Sequence, residues 1–395
     1  MKTIGLAMTG GGARGAYQAG VLKRVSELPG FENGEIPFKV ITAASAGAVN
    51  AASLAAGADQ FRASSQKLAD LWSNIKNEDV FRTDMASLLP QAGKWLRDLS
   101  LGGLYGGGSA TSLLDASPLQ YYLEKNIPFS RIGSNIKIGA LQAISIAATN
   151  YNSGKTYLFT QRKPGDKLWV KSRRIALDTV LASEHICASA AIPVVFQPVA
   201  VTTQYGRDYF GDGCLRLPSP LSPAIRLGAQ KIFAIGVRYK KNVEETIERR
   251  KSGTETLSPR PTMAQVLGVT LNAIFLDHLD SDVEHLVRLN DIISRGNLEN
   301  KIFSDLKEPM KIVDPFAISP SEDIAEIAES YSRKMPKVVR YLMAGLGTKK
   351  ASSSDLISYL LFDSNYTKAL VDLGYRDATR RIDEIESFLF SKTSS

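Results

Sequence analysis

The sequence predicts an α/β fold, with a mostly parallel central sheet, helices on both faces and a C-terminal helical extension. Three observations predict it. Short apolar runs without polar alternation occur at residues 3–8, 38–42 and 231–237, as expected of strands buried on both faces. The first two run through tight, small-residue junctions directly into helical patterns. Strand-like and helix-like segments also alternate along the first 240 residues, the pattern of a parallel sheet with crossover helices.

Residues 3–8 (Thr-Ile-Gly-Leu-Ala-Met) form the first strand. Tyr17, Val21, Val25 and Leu28 follow at helical spacing on one stripe, and Pro29-Gly30 end that helix. Between strand and helix stands Gly10-Gly11-Gly12-Ala13-Arg14-Gly15. Residues 38–42 form the second strand and 46–56 a helix of small residues closed by Gly57, leaving Ser45 at the corner. Further on, 135–149 and 231–237 read as buried strands, and Asn152-Ser153-Gly154 as a turn before Tyr157-Leu158-Phe159. Residues 207–210 read as a strand leading to Asp212 between Gly211 and Gly213. Residues 178–189 read as a helix capped by Asp178 and carrying His185. Residues 261–293 and 321–346 look helical, the second broken at Pro336, and 354–390 look like further helices before a polar tail.

This organisation divides the chain into an α/β domain over 1–240, a charged linker or excursion over 241–261, and a mainly helical region over 262–395 packed on the core. The 44% hydrophobic and 22% charged content is that of an ordinary globular chain. Only Cys187 and Cys214 occur, which excludes a disulfide framework and fits a reducing, cytoplasmic compartment. No run approaches the ~18 apolar residues of a membrane span. The start of the chain is better used as a strand than as a signal peptide, because glycines and Arg14 interrupt it. The net charge of +8 favours anionic surfaces, but the basic residues are scattered and no nucleic-acid motif is present. Residues 85–104 set Leu88, Leu89, Trp95, Leu96, Leu99 and Leu101 beside Lys94 and Arg97. That composition suits an interfacial segment or lid, and equally a core-packed helix, with Gly102-Gly103 and Gly106-Gly107-Gly108 after it.

The chemistry lies at the junctions. Where a tight turn opens a helix, unpaired N–H groups and the dipole favour an anion, and glycines let the backbone approach it. The same residues satisfy G-x-G-x-x-G, but the second strand runs into Ala43-Ala44-Ser45 rather than ending in the acidic residue a dinucleotide site requires. A P-loop is excluded because no Gly-Lys-Ser/Thr follows. Ser45 has the placement of a nucleophile on a strained strand-to-helix corner, and also that of a simple helix N-cap. The usual base would be histidine. His185 sits in a helical pattern, while His278 and His285 share a face with Asp277, Asp280, Asp282 and Glu284. The order Ser45, Asp212, His278 matches an α/β-hydrolase triad, yet only two strands fit before Ser45, where that fold has several. Alone, Asp212-Gly213 reads as a hairpin turn. Its flanking glycines would also let a carboxylate reach the Ser45 hydroxyl.

In combination these residues resemble the patatin-like phospholipases. Residues 10–15 resemble the family's G-G-G-x-[KR]-G, Ser45-Ala46-Gly47 the end of its G-x-S-x-G, and Asp212-Gly213 its D-G-[GA]. Asp115-Ala116-Ser117-Pro118-Leu119, residues 188–196 and residues 282–290 are similar to family segments as well. The resemblance covers residues 3–240 well and the rest loosely. It implies a patatin-like α/β fold that hydrolyses fatty-acyl esters of phospholipids or neutral lipids by a Ser–Asp dyad, without metal or cofactor. Carried over, Ser45 is the nucleophile and Asp212 the base. Gly10, Gly11 and Gly12 would supply oxyanion donors, with Arg14 ordering their loop. Ala43, Gly47 and Gly213 would support the elbow and the turn. The expected partners are a phospholipid or other acyl lipid and, peripherally, a membrane; nucleic acid is not expected and the oligomeric state is open. Two departures stand out: Ala43 replaces the first glycine of G-x-S-x-G, and Cys214 follows Asp-Gly where the family has a smaller residue. The extra methyl at 43 keeps a catalytically impaired membrane- or nucleotide-binding homologue in view, beside an acyltransferase using the same elbow.

Overall fold

The computed structural model describes residues 2–31, 34–83, 112–165, 168–240, 262–275, 278–295, 311–336, 340 and 354–391. The expected interfacial segment at 85–104, the glycines after it and the linker at 241–261 lie outside the described residues. The strands are β1 (Ile4–Met8), β2 (Phe38–Ala44), β3 (Ala143–Asn150), β4 (Thr156–Arg162), β5 (Arg174–Asp178), β6 (Val199–Thr203), β7 (Gly206–Asp212), β8 (Lys231–Ile235) and β9 (Asp314–Ile318). They form one sheet ordered β5-β4-β3-β2-β1-β8-β9, with the β6–β7 hairpin paired to the end of β3. β9, β8, β1, β2 and β3 run parallel; β4 is antiparallel to β3, and β5 parallel to β4.

The helices follow from the same periodicities: α1 (Ala16–Ser26), α2 (Ala46–Ala56), α3 (Phe61–Asn74), α4 (Asn77–Val80), α5 (Ser117–Asn126), α6 (Ser130–Ile138), α7 (Ser183–Ala190) and α8 (Ser222–Arg226). After them come α9 (Met263–Phe275), α10 (His278–Arg295), α11 (Ile324–Tyr331), α12 (Ser354–Leu360), α13 (Ser364–Arg380) and α14 (Ile382–Phe390). Side chains alternate across the sheet and feed two separate cores. Leu6, Met8, Phe233 and Ile235 join the core of α1, α2, α3 and α13, whereas Ala7, Ile232 and Ala234 join Leu221, Ala224, Leu279 and Leu286 on the other face. Burial on both faces is why the central strands read as unbroken apolar runs. None of the described helices is long and apolar enough to cross a membrane.

Several boundaries differ from the sequence reading. The strand expected over 135–149 is two elements: α6 ends at Ile138, Gly139 takes φ 87°, and β3 begins at Ala143. The run Ile132, Asn135, Ile136 is the buried stripe of a helix rather than part of a strand. Asp178 does not cap a helix but ends β5, its carboxylate paired with Arg162, and α7 starts at Ser183. The pattern over 261–293 divides into α9 and α10, and that over 321–346 contains α11 and a short 3-10 turn over Ser332–Lys334. β9, to which the sequence reading gave no element, carries Pro315 and lies at the parallel edge, paired with β8 among the described strands.

The C-terminal helices pack on the α/β layers without a gap. At the crossing of α1 and α13 a β-carbon on Gly20 would lie 1.9 Å from the Val371 carbonyl oxygen, and one on Gly374 2.1 Å from that of Tyr17. Tyr17 also donates to Asp377 Oδ2 at 3.2 Å. A single methyl at this crossing has no room to enter. Gly374→Ala is therefore expected to cost about 1–3 kcal/mol, read as a lower midpoint in urea at unchanged slope.

Candidate active site

The C-terminal ends of β1 and β2 lie side by side, and each leads into a helix. At the end of β2, Ser45 is 1% exposed and takes φ 55°, ψ −130°, a conformation that L residues rarely adopt. Its N–H donates to Ser189 Oγ at 2.9 Å, and the Ser189 hydroxyl donates to the Ala147 carbonyl at 2.6 Å. Ser45 does not act as a side-chain cap of α2, so the simple N-cap reading fails. The turn is held from below by Gly47, where a β-carbon would lie 2.7 Å from the Met8 carbonyl oxygen. Ala43 sits in regular pairing between Met8 and Ile146, so its methyl is accommodated in β2 rather than at the corner itself.

The glycine loop crosses directly over this corner. A β-carbon on Gly10 would lie 2.6 Å from both Ser45 Cβ and Cys214 Sγ, and 3.2 Å from Ser45 Oγ. Gly12 takes φ 57° and opens the 3-10 turn Gly12–Gly15 that continues into α1. It also lies against the Tyr359 carbonyl in α12, 2.2 Å from where a β-carbon would stand. Arg14 is buried and reaches the same helix: Nε donates to Ser358 Oγ at 2.8 Å, Nη2 to Asp355 Oδ1 at 3.0 Å, and the guanidinium lies 4.4 Å from the centre of the Tyr359 ring. Arg14 therefore pins the loop to the C-terminal region.

Asp212 arrives from the other side. Its strand, β7, pairs with the end of β3, and Ala148 stands opposite Asp212. Gly213 then packs on the Ala147 carbonyl, 2.1 Å from where its β-carbon would be. The Asp212 carboxyl is 0% exposed; Oδ1 accepts from the Cys214 N–H at 2.9 Å, whereas Oδ2 is buried and accepts no hydrogen bond of regular geometry among the described residues. Burial pushes this carboxyl up to about 7, opposed by the nearby Ser45 hydroxyl and by the Cys214 N–H and thiol. Cys214 stands between the two halves, its sulfur packed against Gly10 and its backbone N–H donating to Asp212. Serine, glycine loop and aspartate turn thus meet in one place.

Beside them an apolar cavity runs from Ser45 and Gly12 past Val49, Leu68 and Trp72 to Phe362. No histidine lines this cavity, though His278 lines a second one with Ala44 and Cys214. His185 is buried in α7, its Nδ1 accepting from the Ala182 N–H and its ring 4.8 Å from that of Phe159. His278 and His285 lie on α10 near Asp282, whose carboxylate accepts from the Leu221 N–H. Sequence reasoning missed Ser189, Gln18, Asn50 and Trp72. Residues 188–196 did stand out as family-like, but nothing local marks Ser189 as a partner of Ser45, 144 residues away.

A family model described as patatin-like phospholipase matches residues 6–225 of the 395, which includes the glycine loop, Ser45 and Asp212. The chain belongs to the patatin-like phospholipase family. No curated protein matches it. Among solved structures it is similar to VipD from Legionella pneumophila, with 13% identity and a TM-score of 0.34 over 94% of this chain and 67% of that one. It is also similar to the type III effector protein ExoU, with 13% identity and a TM-score of 0.29 over 91% of this chain and 77% of that one. Lipase or phospholipase activity on lipid substrates is the activity that family membership supports.

In this patatin-like chain the raised Asp212 carboxyl has a consequence for stability. The folded protein holds its proton up to about pH 7 while the unfolded chain releases it near 3.8. Stability is thus lost as pH rises from about 4 to 7 and is level above that. Asp212→Asn removes this loss. Its melting temperature is expected to match wild type near pH 4 and to exceed it above pH 7, by a difference worth at most about 4 kcal/mol.

Proposed function

We propose that the chain hydrolyses fatty-acyl esters of phospholipids, as a phospholipase A or lysophospholipase, through a Ser45–Asp212 dyad and an oxyanion hole in the glycine loop. The observation that carries this reading is the contact of Gly10 with both Ser45 and Cys214, which brings together a strained hydroxyl, a buried carboxyl and a helix-opening turn. Asp212 accepts the Ser45 proton as Oγ attacks the acyl carbonyl. With a proton affinity near neutrality it is matched to general-base work, as a carboxylate in its ordinary range is not. The oxyanion lies before the N–H groups of Gly11 and Gly12, where two helix N-termini, those preceding α1 and α2, converge. Gly10, packed against Ser45, would add its N–H to the same donor set. Arg14 holds the loop from behind.

Collapse of the tetrahedral intermediate transfers the proton from Asp212 to the departing lysolipid alcohol and leaves Ser45 acylated, with the acyl chain in the apolar cavity. A water that gives its proton to Asp212 then attacks the acyl carbonyl, and the same proton returns to Ser45 Oγ as the fatty acid leaves. An alcohol in place of water gives acyl transfer by the same intermediate. The net charge of +8 and the lipid substrate class support peripheral contact with anionic membranes.

Purified protein is expected to release fatty acid from phospholipid vesicles in the presence of a chelator. A fluorophosphonate should label Ser45. Ser45→Ala and Asp212→Asn should each lower kcat by about 10⁴-fold or more, while changes at His185, His278 or His285 should spare it in folded protein. Loss of turnover in a folded histidine variant would exclude the dyad.

Because the base must be ionised, kcat/KM is expected to rise with pH through about 7. The Cys214 thiol favours the charged carboxylate, and Cys214→Ala removes the thiol but keeps the backbone N–H, so the acid limb should move upward. A pH–rate profile in which the limb stays in place or falls would exclude this role for Cys214.

A further inference from the structure

A chain of hydrogen bonds leads from the wall of the apolar cavity to both ends of the glycine loop. Trp72 lines the cavity, its indole stacked on Phe362 with centroids 6.5 Å apart and planes 17° apart. Its Nε1–H donates to Asn50 Oδ1 at 2.7 Å. Asn50 lies on α2, in the helix that Ser45 opens, and its Nδ2 donates to the Gly15 carbonyl at 3.0 Å and to Gln18 Oε1 at 2.8 Å. Gln18 Nε2 in turn donates to the carbonyls of Thr9, at 2.8 Å, and Ile235, at 3.2 Å. Asn50 and Gln18 are both 0% exposed.

The direction of every bond is fixed. Indole only donates, so Asn50 Oδ1 must face Trp72 and the Asn50 amide nitrogen must face Gln18. Backbone carbonyls only accept, so the Gln18 amide nitrogen must face Thr9 and Ile235. Reversing either amide leaves buried groups unpaired, at a cost of about 1–3 kcal/mol each. The loop carbonyls that bracket residues 10–14 are therefore held by a network with one arrangement, and its outer member forms the wall where an acyl chain would lie. The indole also touches the loop directly, since a β-carbon on Gly15 would lie 3.1 Å from Trp72 Cζ2.

We propose that Trp72, Asn50 and Gln18 are positioning residues that tie the filling of the acyl cavity to the placement of the glycine-loop N–H donors. A long acyl chain holds the indole against Gly15 and Phe362, the indole holds the two amides, and the amides hold the loop. The inference rests on the proposed Ser45 chemistry. It makes acyl length a determinant of kcat as well as of KM, because loop placement acts on the transition state rather than on ground-state binding.

The test measures kcat and KM of the full chain on p-nitrophenyl butanoate and hexadecanoate, with Trp72→Phe and Asn50→Ala beside wild type. Trp72→Phe keeps an aromatic ring in the stack and loses the N–H. It is expected to lower kcat on the hexadecanoate roughly tenfold, less than the 10²–10³ lost with an oxyanion donor itself. Its effect on KM should stay within about twofold and its effect on butanoate turnover should be clearly smaller. Asn50→Ala, which releases the loop outright, should lower kcat on both esters. An equal loss at both lengths for Trp72→Phe, or a change in KM alone, would overturn the proposal. Should the variants not fold, the wild-type length series decides: a kcat independent of acyl length overturns it. Failure of the underlying reading looks different. In that case neither ester is cleaved and fluorophosphonate leaves Ser45 unlabelled, and the coupling falls with it.

Discussion

Close approach of three backbones without side chains between them is the constraint on which the rest of this structure depends. Gly10 touches Ser45 and Cys214, Gly47 rests on Met8 and Gly213 rests on Ala147, each at a separation that a β-carbon would violate. Those contacts keep Ser45 at positive φ, a conformation costing about 1–3 kcal/mol that persists only where its surroundings over-determine it. Sheet topology makes the contacts possible. Parallel neighbours β1 and β2 end side by side, and the antiparallel return of β7 along β3 delivers Asp212 to the same edge. Two helix N-termini and one carboxylate then face a common point.

Such a site is assembled against its own stability. A fully buried carboxyl, with one oxygen that lacks a regular hydrogen bond among the described residues, is unfavourable when charged, and that burial is what lifts its proton affinity toward neutrality. The tight core on either side of the sheet supplies the compensation. Large side chains such as Tyr17, Phe38, Phe61 and Phe233 are fully buried around the strands that carry the site. Strain is localised at the strand ends, while packing energy comes from the strand bodies.

The sequence made the junctions legible for the same physical reason. Glycines that must be glycines leave a mark in any single chain, so residues 10–15, Gly47 and the Asp212 turn could be read directly. Unbroken apolar runs marked β1, β2 and β8 because both faces are buried. What could not be read was anything set by long-range partners. β9 carries Pro315 and exists because β8 offers it an edge. Ser189, Gln18 and Asn50 are ordinary helical residues by local pattern, and only tertiary placement turns their polar atoms toward Ser45 and the loop. The misplaced boundaries at 135–149 and 178–189 arise likewise, because a short apolar stripe has the same composition in a helix and in a strand.

The C-terminal region belongs to this site in a physical sense, although the family match ends at residue 225. Arg14 finds its partners in Ser358 and Asp355, and its charge is buried on the assumption that they are present. Gly12 packs under the Tyr359 carbonyl, and Phe362 completes the stack on Trp72 at the cavity wall. Remove residues 354–362 and a buried guanidinium loses its carboxylate, the loop loses its roof, and the indole loses its stacking partner. Asp355 is itself 38% exposed, so the cost falls on the buried Arg14 end of the pair, whose guanidinium would be left without its charged partner. The glycine loop is therefore held by residues some 340 positions further along the chain, in a helix outside the segment that the family match covers.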